Sequence, residues 1–576
     1  MIEFSELSQR IWDSKYRWRE AGVVRDATIQ DTWRRIAHAL AGVEQDGGWE
    51  EKFYAALGDF RFLPGGRIQA GAGTGHNVTL FNCFVMGAIE DSMPGIFEAL
   101  KEGALTMQQG GGVGYDFSTL RPAGTPAQGV GMIASGPVSF MRIWDSMCAT
   151  ILSTGARRGA MMGTLRCDHP DIEAFIDAKR DGNEFRNFNL SVLVSDAFMH
   201  AVAQDDDWAL RFPIDGPVHK QVNARELWRR IMRAAYDCAE PGVIFIDRVN
   251  RGNNLAYCET IHATNPCGEV PLPAYGACDL GSINLTRFVE QPFTPGARLD
   301  LDGIAHTAAI ATRMLDNVYD LSHFPLPQQH EVARASRRIG LGLTGLADAC
   351  IMLGVGYGSE ASLIFAEDIM RTICLSAYRT SIGLAREKGA FPLFRAQEYL
   401  QGEFVQSLPQ DIRQGIAQCG IRNSHLTSIA PAGTISLLAN TVSSGLEPVF
   451  AYNYLRKIRQ ADGSLQELAV SDYAWRLFRN QFGSQVALPP GFVKASEVGA
   501  EAQLSMQAAL QKHVDNAISK TVTLNEECDF EAFVSLYEQA YRMGLKGCTA
   551  FRPNPVTGQV LEEMEKQCCS LEREAD

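Results

Sequence analysis

Apolar side chains recur at three- and four-residue intervals in "TIQDTWRRIAHALAGVE" near the N-terminus, and the same spacing returns in "FMRIWDSMCATIL" and "RELWRRIMRAAYDCAE". That period gathers them on one face of an amphipathic helix. Between these runs lie short apolar stretches, "VTLFNCFVM", "NFNLSVLV", "GVIFIDRV" and "HLTSIAPAG", which predict strands. Helices alternating with strands imply an α/β domain with a largely parallel sheet. The first 60 residues are expected to form a helical region. From about residue 61 to 135 glycine is frequent, in "LPGGRIQAGAGTGHN" and "QQGGGVGYDF", so close approach of backbone segments is expected there. No fixed-period repeat is visible. The charged end, "LEEMEKQCCSLEREAD", follows the turn-rich "FRPNPVTGQ" and predicts a flexible tail.

Composition narrows the classes. The 576 residues are 46% hydrophobic and 21% charged, with a formal charge of −14. Such a surface is unsuited to neutralising a long phosphate backbone, so no nucleic-acid polymer is expected as a partner. The start, "MIEFSELSQRIW", lacks a basic then apolar leader, and the most apolar stretch, "IGLGLTGLADACIMLGVGYG", is broken by Asp348. No membrane association is expected, and the cytoplasm is the expected compartment. Fourteen cysteines without any C-x-x-C spacing fit a reducing compartment and give no support for a structural zinc site. Cys148, Cys167, Cys238, Cys350, Cys374 and Cys419 are expected to serve as small buried hydrophobes.

One stretch carries chemistry. In "NPCGEVPLPAYGACDLGSINL", residues 265–285, an extended backbone would put Asn265, Cys267 and Glu269 on one face, roughly 6–7 Å apart at each step. Pro266 and Pro271 disfavour a helix, and Gly268 leaves room beside the thiol. A neighbouring carboxylate raises a thiol pKa, which opposes thiolate nucleophilicity. A thiol acting as a hydrogen-atom donor needs no thiolate, leaving the carboxylate as general base and the amide to hold a hydroxyl.

With "FNCFVMGAIEDSMPGIFEAL", "QQGGGVGYDFSTLRP", "ASGPVSFMRIWD", "TGARRGAMMGTLRCDHPDIEAFI", "IGLGLTGLADACIMLGVGYGS" and "SIAPAGTISLLA" in the expected order, the chain resembles the large chain of ribonucleotide reductases in their adenosylcobalamin-dependent form. The resemblance runs from roughly residue 60 to 560. It implies an α/β fold, a ten-stranded barrel of two parallel five-stranded half-barrels around a central finger loop, over residues 61–555. A small helical region over 1–60 would precede it, and a flexible tail over 556–576 would follow.

The resemblance also implies roles. Cys267 corresponds to the cysteine that becomes a thiyl radical and takes the 3′ hydrogen atom of the ribose. Glu269 corresponds to the acceptor of the 3′-hydroxyl proton and Asn265 to a substrate-positioning amide. Cys83 and Cys278 correspond to the thiols that supply two electrons and end as a disulfide. Asn82 corresponds to a substrate-binding residue, and the glycine-rich segment Gly110 to Gly114, with Gly111 and Gly112 as substrate-binding positions, to a substrate-approach loop. Ala432, Gly433, Thr434, Ile435 and Ser436 correspond to a phosphate-binding segment, where Ala432 replaces the usual threonine. Exposed amides at Gly433 and hydroxyls at Thr434 and Ser436 suit that use. Arg158 corresponds to a residue coupling effector identity to substrate choice, and Asp91 to an effector-binding acid. A solvated arginine and a helix-capping aspartate are the bland alternatives for these two.

Three spacings are declined. "GLGLTG", Gly340 to Gly345, matches G-x-G-x-x-G without a preceding strand and is expected to serve helix packing. Glu259 and His262 form a lone carboxylate–histidine spacing. "AGAGTG" lacks the ending of a phosphate loop.

Thr549, Ala550 and Phe551 stand where a partner-dependent chain would carry a Tyr-Tyr relay, and no glycyl-radical loop is visible. Adenosylcobalamin is therefore the expected radical source, though no D-x-H-x-x-G signature names a ligand. Cys568 and Cys569 are expected to carry electrons to the Cys83–Cys278 disulfide from a thioredoxin-like or glutaredoxin-like reductant; their adjacency would make a strained ring. The stretch ahead of the resemblance leaves little room for an ATP-binding regulatory cone. A homodimer with a nucleotide effector, acting on ribonucleoside diphosphates, is the expected enzyme. A large chain requiring a radical-generating subunit and a non-catalytic nucleotide-binding paralogue are the alternatives, the second opposed by the presence of all five core residues.

Overall fold

Polar caps start the N-terminal helices where their amphipathic runs begin. Ser5 accepts a hydrogen bond from the Ser8 amide at the head of Glu6–Ile11. Thr28 and Asp31 form a reciprocal capping box for Ile29–Ala41, satisfying two amides that have no intrahelical acceptor. Ile29, Trp33, Ile36, Ala37 and Leu40 are its buried stripe, on the periodicity seen in the sequence. Trp49–Leu57 follows. The computed structural model describes residues 4–126, 133–153, 157–180, 184–459, 465–553 and 562–563.

The body is a closed barrel. Strands β1 (Cys83–Val85), β2 (Gly112–Asp116), β3 (Met161–Arg166), β4 (Phe188–Val194) and β5 (Gly242–Phe245) pair in parallel in that order. The second half uses β6 (Ala277–Asn284), β7 (Ile339–Thr344), the segment 427–429, β8 (Thr521–Thr523) and β9 (Gly547–Phe551). Here β6 pairs with β7 and β8 with β9, all in parallel. Parallel bridges from Leu341 to Thr427 and from Ile429 to Ile518 complete the half. The halves meet at two antiparallel seams, β5 with β9 and β6 with β1. Counting 427–429, each half contributes five strands, the expected architecture. Phe62–Pro64 adds an outer partner to β6.

Every residue of β6 and β7 is buried, as expected of parallel strands covered on both faces. The helices Leu301–Leu321 and Glu360–Lys388 pack on each other, and both lie against β7. The run "GLGLTG" is thus strand β7 and the turn after it, correcting the expectation of helix packing. Its glycines serve strand contact: a Cβ on Gly342 would lie 2.2 Å from the Ser428 carbonyl oxygen. Among the described residues no helix is long and apolar enough to cross a membrane.

Inside the barrel runs a hairpin, Ala263–Thr264 paired with Pro271–Leu272. It lies directly on β2. A Cβ on Gly114 would stand 1.9 Å from the Thr264 carbonyl oxygen, and one on Gly112 would stand 3.0 Å from the Pro266 ring. Period-two alternation puts both glycines on one face of β2, so that face is bare where the hairpin passes.

Gly114→Ala should therefore displace the hairpin and lower the thermal midpoint, by about 1–3 kcal/mol of stability or more. Gly383→Ala provides the contrast, since its Cβ would meet nothing within 4 Å in the long helix Glu360–Lys388. It should raise stability by about 1 kcal/mol through helix propensity. Scanning calorimetry of both variants reads the difference; equal midpoints would show that the hairpin does not need the bare strand.

Candidate active site

The hairpin tip is a turn. The Gly268 amide donates to the Asn265 carbonyl at 3.1 Å, with Pro266 and Cys267 between them and Gly268 at φ +85°. Proline suits the second position of such a turn, because its ring presets φ. The extended geometry expected of this stretch is therefore corrected. Asn265 and Glu269 are brought together by the fold of the tip rather than by strand alternation.

Both halves of the barrel hold the tip. Asn189 on β4 donates to the Pro266 carbonyl at 2.8 Å. From the opposite half, the Ser428 hydroxyl and the Ala517 amide donate to the Glu269 carbonyl at 2.9 and 3.0 Å. The Asn265 side chain closes the turn internally: its Oδ1 accepts from the Val270 amide at 2.9 Å and its Nδ2 donates to the Cys83 sulfur at 3.2 Å.

Cys83, Asn265 and Glu269 form one buried cluster. The Cys83 thiol faces Glu269 Oε1 at 3.8 Å, while Glu269 Oε2 is buried with no partner among the described residues. Burial pushes the Glu269 carboxyl up to about 7, opposed in part by hydrogen bonding from Asn265. Burial, then Glu269, pushes the Cys83 thiol well above its ordinary value. Cys267, at the tip, is half-exposed and near enough to act electrostatically on Cys83. Cys278 is the residue directly opposite Cys83 across the β1–β6 seam. Directly opposed residues bring their Cβ atoms to roughly 4.5–5.5 Å, within a small adjustment of a disulfide. Cys278 is fully buried and its thiol is also pushed up, by burial and then by Asp279.

The glycine-rich approach is built around packing. The Gly112 amide donates to the Asn82 carbonyl at 2.8 Å. A Cβ on Gly111 would collide with the Phe84 ring at 2.6 Å. Ala432 adopts a left-handed conformation, φ 54°, at the head of the short helix Gly433–Leu438. The first-turn amides of a helix have no intrahelical acceptor. Ser436 is buried with its hydroxyl 2.7 Å from that of Thr344, so it braces the segment in this state. Ile435 is likewise buried.

Sequence reasoning missed Lys15. The N-terminal turn Trp12–Tyr16 brings its Nζ 3.3 Å from the Thr434 hydroxyl, and Ser8 donates to the Leu437 carbonyl at 2.7 Å. No local spacing signals this, because the partners are 419 residues apart.

Other expected residues lie away from the cluster or beyond description. Asp91 forms a half-buried ion pair with Arg121 at 2.7 Å, an arrangement that orders the loop after β2. Arg158 lies in Arg157–Arg158, paired with Leu152–Ser153. Cys568 and Cys569 fall outside the described residues. Glu259 is held by Arg338 at 2.5 Å and His262 is exposed, so that declined spacing forms no joint site. Cys148, Cys167, Cys350 and Cys374 are buried, Cys238 and Cys419 partly so. Thr549, Ala550 and Phe551 lie on β9, against β8.

Residues 81–551 match the family model described as ribonucleotide reductase, barrel domain, and residues 2–77 match the ribonucleotide reductase all-alpha domain. Among curated proteins, the vitamin B12-dependent ribonucleoside-diphosphate reductase of Mycobacterium tuberculosis is 39% identical over 533 residues, covering 89% of this chain and 73% of that protein. A protein of the same description from Thermoplasma acidophilum is 36% identical, with 89% of this chain and 66% of that protein covered. The ribonucleoside-diphosphate reductase subunit alpha of Chlamydia pneumoniae is 24% identical, covering 96% of this chain and 60% of that protein. The chain thus spans between 60% and 73% of the length of these three relatives. With one family model matching the barrel, whose hairpin carries an amide and a buried carboxylate beside the seam cysteines, and the other matching the N-terminal helices, the chain belongs to the ribonucleotide reductase family.

Proposed function

We propose that this chain reduces ribonucleoside diphosphates to 2′-deoxyribonucleotides by radical chemistry. The observation that carries the reading is the buried cluster of Asn265, Glu269 and Cys83, with Cys278 opposite Cys83 across the seam and Cys267 at the tip of the same hairpin. As a thiyl radical, Cys267 takes the 3′ hydrogen atom of the ribose. Glu269 accepts the 3′-hydroxyl proton, and its unpartnered Oε2 is suited to that hydrogen bond. Cys83 and Cys278 give two electrons and two protons and become a disulfide; one proton leaves with the 2′-hydroxyl as water, and the other ends on C2′ in its place. The hydrogen atom then returns from Cys267 to C3′. High thiol pKa values keep both reductant sulfurs protonated, which favours hydrogen-atom over thiolate chemistry.

Ala432 to Ser436 form the proposed phosphate segment, with Lys15 contributing charge beside Thr434. Asn82, Gly111 and Gly112 border the proposed approach. Met93, Phe97 and Leu105, four and then eight residues apart, are exposed apolar side chains on the helix Met93–Gln108 and support a second copy as partner. Arg158 and Asp91 are the proposed effector-side residues. A thioredoxin-like or glutaredoxin-like dithiol, acting through Cys568 and Cys569, is the proposed reductant, in a cytoplasmic setting.

The proposed cofactor is adenosylcobalamin, supported by the descriptions of the M. tuberculosis and T. acidophilum relatives as vitamin B12-dependent. The hairpin tip is open on one side: a Cβ on Gly268 would meet nothing within 4 Å, and Cys267 beside it is half-exposed. Cys267 and Gly268 would border the group. When bound, it supplies a one-electron acceptor for a thiol hydrogen atom.

An anaerobic assay with a ribonucleoside diphosphate, a dithiol and adenosylcobalamin should give deoxynucleotide only when all three are present. Product without the cofactor would remove adenosylcobalamin from the scheme; none with all three would favour a partner-dependent or non-catalytic chain. Cys267→Ala should abolish product while equilibrium dialysis still detects nucleotide binding, and retained turnover would end the mechanism.

Glu269 also predicts pH dependence. Its folded pKa near 7 is above the ordinary value, so the fold favours the neutral acid. The stability it contributes is complete below the unfolded pKa and is lost as pH rises through about 7, amounting to about 3 kcal/mol. Melting temperatures of the wild type should fall relative to those of Glu269→Gln between pH about 5 and 8. Turnover should rise over the same window as the base ionises, and vanish in Glu269→Gln. A flat difference in melting temperature would refute the buried-acid assignment.

A further inference from the structure

Cys278 and Arg338 are neighbours across two parallel strands. The register pairs Asp279 with Ile339 and Leu280 with Gly340, so Cys278 and Arg338 stand one step earlier, side by side and on the same face. The Cys278 sulfur lies against β7, since a Cβ on Gly340 would be 3.6 Å from it. Arg338 is 1% exposed. Its guanidinium reaches Glu259 through Nη2 at 2.5 Å and His425 through Nε at 3.0 Å. Its Nη1 is buried with no partner among the described residues. A guanidinium donor in a closed interior calls for an acceptor, ideally an anion.

The two seam sulfurs therefore have different surroundings. Arg338 counteracts burial and Asp279 in their effect on the Cys278 thiol. The groups acting most strongly on Cys83 after burial are Glu269 and the other two thiols of the site. Cys83 is also the more reachable, 4% exposed against 0% for Cys278. In thiol–disulfide exchange, the accessible sulfur is attacked and the better-stabilised thiolate leaves.

We propose that the Cys83–Cys278 disulfide is opened at Cys83, and that Arg338 is the positioning residue that receives Cys278 as the leaving thiolate. This rests on reading the two cysteines as the redox pair. The electrons come from a dithiol, which in the test below is a small external one that reaches Cys83 without Cys568 and Cys569. Its thiolate attacks the Cys83 sulfur, the new S–S bond forms as the Cys83–Cys278 bond breaks, and the electron pair passes to Cys278. Cys278 then takes the proton given up by the reductant's second thiol. The second thiol of the reductant attacks its own sulfur in the mixed disulfide and expels Cys83. Cys83 is reprotonated by neutral Glu269, 3.8 Å away. The dithiol ends as a disulfide and both cysteines end as thiols.

The test uses the full chain with adenosylcobalamin, taken through one turnover on a ribonucleoside diphosphate without reductant. It is then treated with 2-mercaptoethanol, acid-quenched, denatured and alkylated with iodoacetamide. Peptide mass spectrometry should find the mercaptoethanol adduct on Cys83 and the alkyl group on Cys278. The reverse distribution overturns the proposal. Absence of any Cys83–Cys278 disulfide after turnover would instead remove the redox-pair reading beneath it. Arg338→Gln should slow re-reduction by dithiothreitol about tenfold relative to the first turnover, with Arg338→Lys recovering most of the rate. An equal loss in both steps would reveal a purely structural role and also overturn the proposal. Should Arg338→Gln fail to fold, adduct mapping on the unaltered chain decides.

Discussion

Thr264 and Pro266 occupy the space that side chains on Gly114 and Gly112 would need. A ten-stranded barrel has more interior than an eight-stranded one, yet it still admits a hairpin only where the wall is stripped to backbone. The contact decides where the tip sits, and the tip decides where Cys267 and Glu269 sit. Asn189 from one half, with Ser428 and Ala517 from the other, then pins it from opposite sides. Site geometry is thus a property of the closed barrel, and neither half could fix it alone.

Enclosure also sets the electrical character of the site. Water is excluded from Glu269, Cys83 and Cys278, so the charged form of each is disfavoured. Two sulfurs are held neutral in one pocket beside a carboxyl that titrates near 7. Hydrogen atoms and single protons can move there at modest cost, whereas a buildup of anions cannot. Arg338 is the exception, a cation at the rim of this neutral zone beside only one of the two sulfurs.

Much of this was legible from residues alone. The capped stripe of Ile29–Ala41 and the alternation of strands with helices are local signals, and local signals survive folding. The trio of Asn265, Cys267 and Glu269 announced itself by residue type. Its geometry did not, because a proline-led turn replaced the extended backbone. Glycine and apolar residues in "GLGLTG" have no diagnostic period, so only strand pairing revealed β7. Lys15 meets Thr434 through tertiary packing that no spacing encodes. The opposition of Cys83 to Cys278 came from family resemblance, since a strand register between residues so distant in sequence leaves no local trace.

The β1–β6 seam joins two half-barrels that otherwise touch edge to edge, and Cys83 and Cys278 face each other across it. On the proposed cycle, each turnover would tie the halves together and each re-reduction would untie them. Catalysis would then alternate the chain between an open thread and a closed loop of nearly two hundred residues. The reagent that stores the electrons would also be a removable rivet in the wall of the vessel that holds the substrate.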